Sequence, residues 1–212
     1  MLSHAIFNQL GAFTHPGLLT LEQCRAWRLR AEKAESRPAR IHRDGTAVED
    51  GGIRRTQQVH MAPKDKARLD AQIAAVGPDL ERHFNMALGP LRECKCLVYG
   101  PGDFFVPHYD VDEVDHKATT NLQRRIATVL IVLNAPDDHE APYQGGDLTF
   151  YGLLDVPDSD EIGLTLAPDP GMLIAFKPNV LHGISPILSG NRYVIVGWFH
   201  DQSDNRATAH DP

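Results

Sequence analysis

Apolar positions follow two rhythms along this chain, and the change falls near residue 90. From Thr20 to about Glu35 the spacing is helical. Cys24, Trp27 and Ala31 fall on one stripe, Thr20 is a candidate N-cap, and Gln23 completes a capping box. A second helical stretch runs from about Lys64 to Ala75, and Gly77-Pro78 interrupts it before a short continuation through Phe84. Between these helices, residues 36–60 are polar, carry Pro38, Asp44-Gly45 and Gly51-Gly52, and read as a long loop or hairpin. Beyond residue 90 short β-type runs take over, at 92–99, 103–110, 125–134, 147–152, 162–166, 171–177, 182–185 and 192–200. Helices first and many short strands afterwards predict a mainly β barrel or sandwich braced by N-terminal helices.

The length, 212 residues, suits one domain spanning 1–212, with 1–90 as helical support and lid segment and 91–200 as the core. A hydrophobic share of 42% and a charged share of 23% leave no signature of disorder. The longest apolar runs, Val129 to Leu133 and Met172 to Phe176, fall far short of the ~20 residues of a membrane-spanning helix, so no membrane partner is expected. A formal charge of −7 argues against nucleic acid as a partner. Met1 to Phe13 lacks the pattern of a secretory signal, which makes the cytoplasm the expected location. Cys94 and Cys96 alternate with Glu93 and Lys95, and the three cysteines read as reduced structural thiols.

Among eleven histidines, two stand in His-x-Asp, a spacing that lets both side chains of a strand grip one ion. His42-Arg43-Asp44 runs into Gly45 and reads as a turn. His108-Tyr109-Asp110 ends a strand-like run in which strict alternation puts Phe104, Val106, His108 and Asp110 on one side. His182, opening another short strand, is well placed to supply a third ligand. Two imidazoles and one carboxylate make the facial triad of non-haem Fe(II) oxygenases, which leaves three positions open for a chelating oxo-acid and dioxygen. Ten residues on, Arg192 shares a strand face with Val194, Val196 and Trp198, where a fixed guanidinium can clamp a carboxylate with two parallel hydrogen bonds.

The string Tyr99-x-x-Gly102-x-x-Phe105-x-Pro107-His108-x-Asp110 resembles the first metal motif of the prolyl 4-hydroxylase branch of the 2-oxoglutarate and Fe(II)-dependent dioxygenases. Arg125-Ile126-Ala127-Thr128, Gly145-Gly146-Asp147-Leu148-Thr149-Phe150, Pro170-Gly171, His182, Arg192 and Trp198 follow in that branch's order. The resemblance covers roughly 92–200 and implies a double-stranded β-helix of the jelly-roll or cupin type. It implies that His108, Asp110 and His182 bind Fe(II), and that Arg192 pairs with the distal carboxylate of 2-oxoglutarate. It further implies that Tyr99 hydrogen-bonds that cosubstrate, that Thr128 lines its pocket, and that Trp198, one of Arg124 or Arg125, and Phe105 lie near the substrate. Phe105 stands where peptidyl-proline hydroxylases often have Tyr, and Val132 where relatives often place a second Tyr toward the distal carboxylate.

The function so implied is hydroxylation of an unactivated C–H bond, foremost of a prolyl residue in a peptide or protein. Dioxygen is consumed, 2-oxoglutarate becomes succinate and CO2, and ascorbate serves as reductant. The chain is expected to act as a monomer or homodimer, with residues 40–57 and 111–124 as candidate lids. A free amino acid or natural-product intermediate is the alternative substrate. A nucleic-acid demethylase would want a further arginine where this chain has Trp198, and a non-catalytic metal-binding barrel would form no succinate. Asp110 fills the position that a halogenase leaves to Gly or Ala.

Overall fold

The computed structural model describes residues 3–43, 46–111, 124–167 and 169–202. The chain opens with α1 (His4–Gln9), β1 (Phe13–His15) and α2 (Leu21–Lys33). The polar segment follows as β2 (Ser36–Pro38), β3 (Ile41–Arg43), β4 (Thr46–Val48), β5 (Arg54–Arg55) and β6 (Gln57–Val59), ahead of α3 (Pro63–Ala74) and α4 (Gly77–Phe84). The second half contributes β7 (Leu91–Tyr99), β8 (Phe104–His108), β9 (Arg125–Val132), β10 (Gln144–Gly145), β11 (Leu148–Phe150), β12 (Leu164–Leu166) and β13 (Leu173–Phe176). It ends with β14 (His182–Ile184), β15 (Ile187–Ser189) and β16 (Arg192–His200).

Two sheets face each other as a double-stranded β-helix. The larger runs β1-β13-β9-β16-β7-β6-β2 and the smaller β12-β11-β14-β8-β5, while β10-β15 and the β3-β4 hairpin are separate pairs. Alternation gives the large sheet two apolar faces. Cys94, Cys96, Ala127, Val129, Ile131, Tyr193 and Ile195 point outward against Trp27, Leu69, Ile73 and Leu80 of the helices. Leu97, Tyr99, Leu130, Val194, Val196 and Trp198 point inward toward Leu148, Phe150, Phe176 and Ile184. Thr20 caps α2 as its sequence predicts, with its hydroxyl accepting from the Gln23 amide and the Gln23 side chain accepting from the Thr20 amide.

Two expectations need correction. The segment 36–60 is not a loop with at most a hairpin: Gln57–Val59 pairs with β7 and Ser36–Pro38 pairs with β6, so polar residues extend the large sheet at its edge. Edge strands need no apolar alternation, which is why composition conceals them. The ligand strand also departs from strict alternation. β8 stops at His108, and its pairing jumps from His182↔His108 to Ile184↔Phe105, two residues of β14 against three of β8. This bulge at Val106-Pro107 turns Phe105, rather than Phe104 or Val106, to the same side as His108.

Candidate metal centre

His108 and His182 are cross-strand partners on β8 and β14. Close approach of these strands leaves little room beside His182: a Cβ on Gly183 would lie 3.0 Å from the Pro107 nitrogen and 3.2 Å from the Phe105 carbonyl oxygen, so the backbone of β8 would have to shift by a few tenths of an ångström. Just past the end of β8, the Asp110 amide donates to the Pro178 carbonyl at 2.8 Å, which ties the third residue to the loop leading into β14.

Both imidazoles are oriented by their own strands. Nδ1 of His108 lies 2.9 Å from the Val106 carbonyl and Nδ1 of His182 lies 2.9 Å from the Val180 carbonyl. A carbonyl only accepts, so each Nδ1 carries the proton and each Nε2 keeps a free lone pair. His108 Nε2 lies 3.6 Å from Asp110 Oδ1, and His182 Nε2 lies 3.8 Å from Asp110 Oδ2. Among the described residues these three form a group whose ligand atoms all fall within 4.8 Å of one another. Burial, with the His108 ring alongside, pulls the His182 imidazole down to about 4, so it is a neutral ligand at physiological pH. Burial penalises the Asp110 charge, yet the two imidazoles and the Arg125 guanidinium around it more than offset that and hold its carboxyl well below the usual range.

The Asp110 oxygens are not equivalent. Oδ2 accepts from the Thr128 hydroxyl at 2.7 Å and from the Trp198 indole at 3.0 Å, which leaves Oδ1 as the oxygen for a metal. Arg125 stacks on Trp198 with its guanidinium carbon 3.7 Å from the ring centroid. It donates to Glu93 at 2.7 Å and to the Asp110 carbonyl at 3.2 Å. Burial opposes ionisation of Glu93, but Arg125 and Lys95 more than offset it and lower its pKa.

The triad opens into a cavity of about 250 Å³ whose walls include Tyr99, Leu130, Leu148, Ile184, Val194 and Val196. Arg192 lines the same cavity; it is 1% exposed, and its Nε and Nη1 have no hydrogen-bond partner among the described residues. A buried guanidinium with unpaired donors is costly unless an anion completes it. The donor set suits Fe(II), and the unpaired arginine suits the distal carboxylate of a chelating oxo-acid; both groups fit the residues present. The ring of Tyr99 lies 5.6 Å from the Arg192 guanidinium. A second cavity of about 390 Å³ touches Tyr109, Tyr151 and Lys177 but contains neither the triad nor Arg192.

The structure therefore gathers His108, Asp110, His182, Arg192, Tyr99, Phe105, Arg125 and Trp198 around one cavity. Thr128 is the exception. It is fully buried, is not among the cavity-lining residues, and spends its hydroxyl on Asp110. Three residues that the sequence reading passed over belong here. Glu93 anchors Arg125 from a left-handed backbone, φ 54°, that sequence does not announce. Tyr143 is buried near Arg192, and burial raises its phenol although that cation opposes the rise. Arg54 lines the cavity beside Phe105. Of the candidate lids, Arg40, Ile41, His42, Ile53 and Arg54 line the cavity, whereas Asp44 and nearly all of 111–124 lie outside the described residues.

The family model of the 2OG-Fe(II) oxygenase superfamily matches residues 94–200. Prolyl 4-hydroxylase 5 of Arabidopsis thaliana is 32% identical over 123 residues, covering 49% of this chain and 40% of that protein. Probable prolyl 4-hydroxylase 3 of the same plant is 27% identical over 117 residues, with the same coverage of 49% and 40%. The matches thus span about two fifths of these relatives' length. A Pseudomonas putida prolyl-4-hydroxylase superposes with a TM-score of 0.67 at 21% identity, covering 93% of this chain and 96% of that one. A Trichoplax adhaerens prolyl hydroxylase, solved with a hypoxia inducible factor peptide fragment, gives 0.65 at 17% identity over 96% and 90% of the two chains. At these identities the structural matches speak for the fold.

Proposed function

The chain belongs to the 2OG-Fe(II) oxygenase superfamily, and on that premise we propose that it hydroxylates an unactivated C–H bond of a prolyl residue in a peptide or protein, coupled to conversion of 2-oxoglutarate and dioxygen to succinate and CO2. One observation carries this reading: a two-histidine, one-carboxylate cluster and a buried, unpaired arginine share a single small cavity.

His108 Nε2, Asp110 Oδ1 and His182 Nε2 would hold the iron, which when bound supplies the one-electron chemistry that dioxygen requires. Arg192 binds the distal carboxylate in a bidentate fork, and Tyr99, buried beside it, is placed to hydrogen-bond the same molecule. The aliphatic wall of Leu130, Leu148, Ile184, Val194 and Val196 excludes water, strengthening that ion pair and protecting the oxidant from side reactions. Phe105, stacked on His108 at 3.5 Å between ring centroids, lends an apolar edge to the cavity beside the metal ligands.

The test is incubation of the iron-loaded protein with 2-oxoglutarate, ascorbate and proline-containing peptides, reading succinate and a mass gain of one oxygen. His108→Ala and Asp110→Ala should each abolish succinate formation, and turnover retained in either variant rejects the assignment. A second reading, hydroxylation of a free amino acid or natural-product intermediate, draws on the cavity itself: about 250 Å³ is below the usual range of roughly 300–1,000 Å³ and must also admit the cosubstrate.

A further inference from the structure

Among the described residues, two arginines lining the cavity, apart from the one stacked on Trp198, lack an acidic partner. Arg192 is accounted for by the cosubstrate. Arg54 is not. Arg54 pairs in register with Phe105, so both side chains project from the same face of adjacent strands toward the cavity. The guanidinium carbon of Arg54 lies 4.7 Å from the centroid of Phe105, and the other contact of that ring is its stack on His108. The Arg54 charge thus sits about one aromatic layer from a metal ligand. Nη1 donates to the Arg40 carbonyl at 3.3 Å, Nε is buried without a partner, and among the described residues no carboxylate pairs with the group. The other rim cations are committed: Arg40 to Glu49 at 3.9 Å, Lys95 to Glu93 at 3.7 Å and Arg125 to Glu93 at 2.7 Å. Among the described residues the single carboxylate lining the cavity is Asp110, which the metal claims. In a chain of net charge −7, an uncompensated cation held at this rim needs a reason.

We propose that Arg54 is a specificity-determining residue that reads a carboxylate on the primary substrate, close to the carbon that is oxidised. The inference rests on the functional reading above and deepens it by naming the substrate class: a carboxylate-bearing molecule. That carboxylate is either the terminal α-carboxylate of a free or C-terminal residue or the side chain of an acidic residue next to the target. A half-buried, planar guanidinium on an apolar ring favours such a group, because its remaining donors match the two carboxylate oxygens and little water competes.

The experiment uses the full chain loaded with Mn(II) and 2-oxoglutarate, which binds without turning over. Calorimetry compares N-acetyl-L-proline with N-acetyl-L-prolinamide, and an acetylated Pro-Asp amide with its Pro-Asn counterpart. The first pair tests a terminal carboxylate and the second a side-chain carboxylate. In at least one pair the acid should bind about 10- to 100-fold tighter than the amide, the range expected of a charge-assisted hydrogen bond. In Arg54→Gln that ratio should fall to within about twofold, and Arg54→Lys should restore part of it. Equal affinities in both pairs, a preference that survives in Arg54→Gln, or no binding of any of the four ligands overturns the inference while cosubstrate binding leaves the functional reading standing. Failure of 2-oxoglutarate itself to bind removes both.

Discussion

At the scale of single residues, a metal site is decided by atoms that never touch the metal. Thr128 and Trp198 fix Asp110 Oδ2, so Thr128→Val should weaken Mn(II) affinity about 10- to 100-fold by titration, with the melting temperature of the metal-free protein little changed and Thr128→Ser close to wild type. Arg192→Met should weaken 2-oxoglutarate binding to the metal-loaded protein at least ~100-fold, since losing one partner of a buried charge pair costs roughly 3–5 kcal/mol. An unchanged dissociation constant would take Arg192 out of the site. The ligand residues and Arg192 were legible because His108-x-Asp110 is a short local pattern and His182 and Arg192 each open a strand-like run in the order of a known motif series. The roles of Thr128, Glu93 and Tyr143 were not, because they come from contacts such as 18 residues between Thr128 and Asp110 and 32 between Glu93 and Arg125, which only the closed barrel creates.

At the scale of elements, β8 and β14 act as one unit whose separation sets the distance between the imidazoles. Gly183→Ala should force the strands apart or distort the bulge, costing about 1–3 kcal/mol in urea unfolding and lowering metal affinity in the same variant. Wild-type stability with intact metal binding would show that the approach of these strands is not limiting. Strands with one face on the helices and one in the barrel, such as β7, β9 and β16, declare themselves through apolar residues, and their sequence-based ranges agree with the structure within a few residues. β2, β5 and β6 do not, because their side chains are largely polar and only their backbones join the sheets. The bulge in β8 escapes for a related reason: Pro107 removes an amide, but pairing with β14 determines how the chain absorbs the extra residue.

At the scale of the whole molecule, buried charge ties stability to pH. Burial alone would raise the Glu93 pKa, but Arg125, Lys95 and His200 together bring it below its ordinary value. A depressed folded-state pKa contributes stability that is present above the unfolded value of about 4.3 and is lost as pH falls through the folded one. Glu93→Gln should therefore flatten the acid limb of the stability curve between about pH 5 and 3, measured as urea midpoints on metal-free protein. An acid limb as steep as wild type would show that Glu93 is not a principal contributor. The two facing sheets carry a further consequence. The imidazoles belong to the smaller wall and Arg192 to the larger, so a dicarboxylate held between them acts as a rivet across the seam. Saturation at a hundredfold excess over Kd would add about 2.7 kcal/mol to unfolding and slow amide exchange in both walls at once. Starved of that small acid, the barrel is left with a looser seam and becomes the easier prey for proteases.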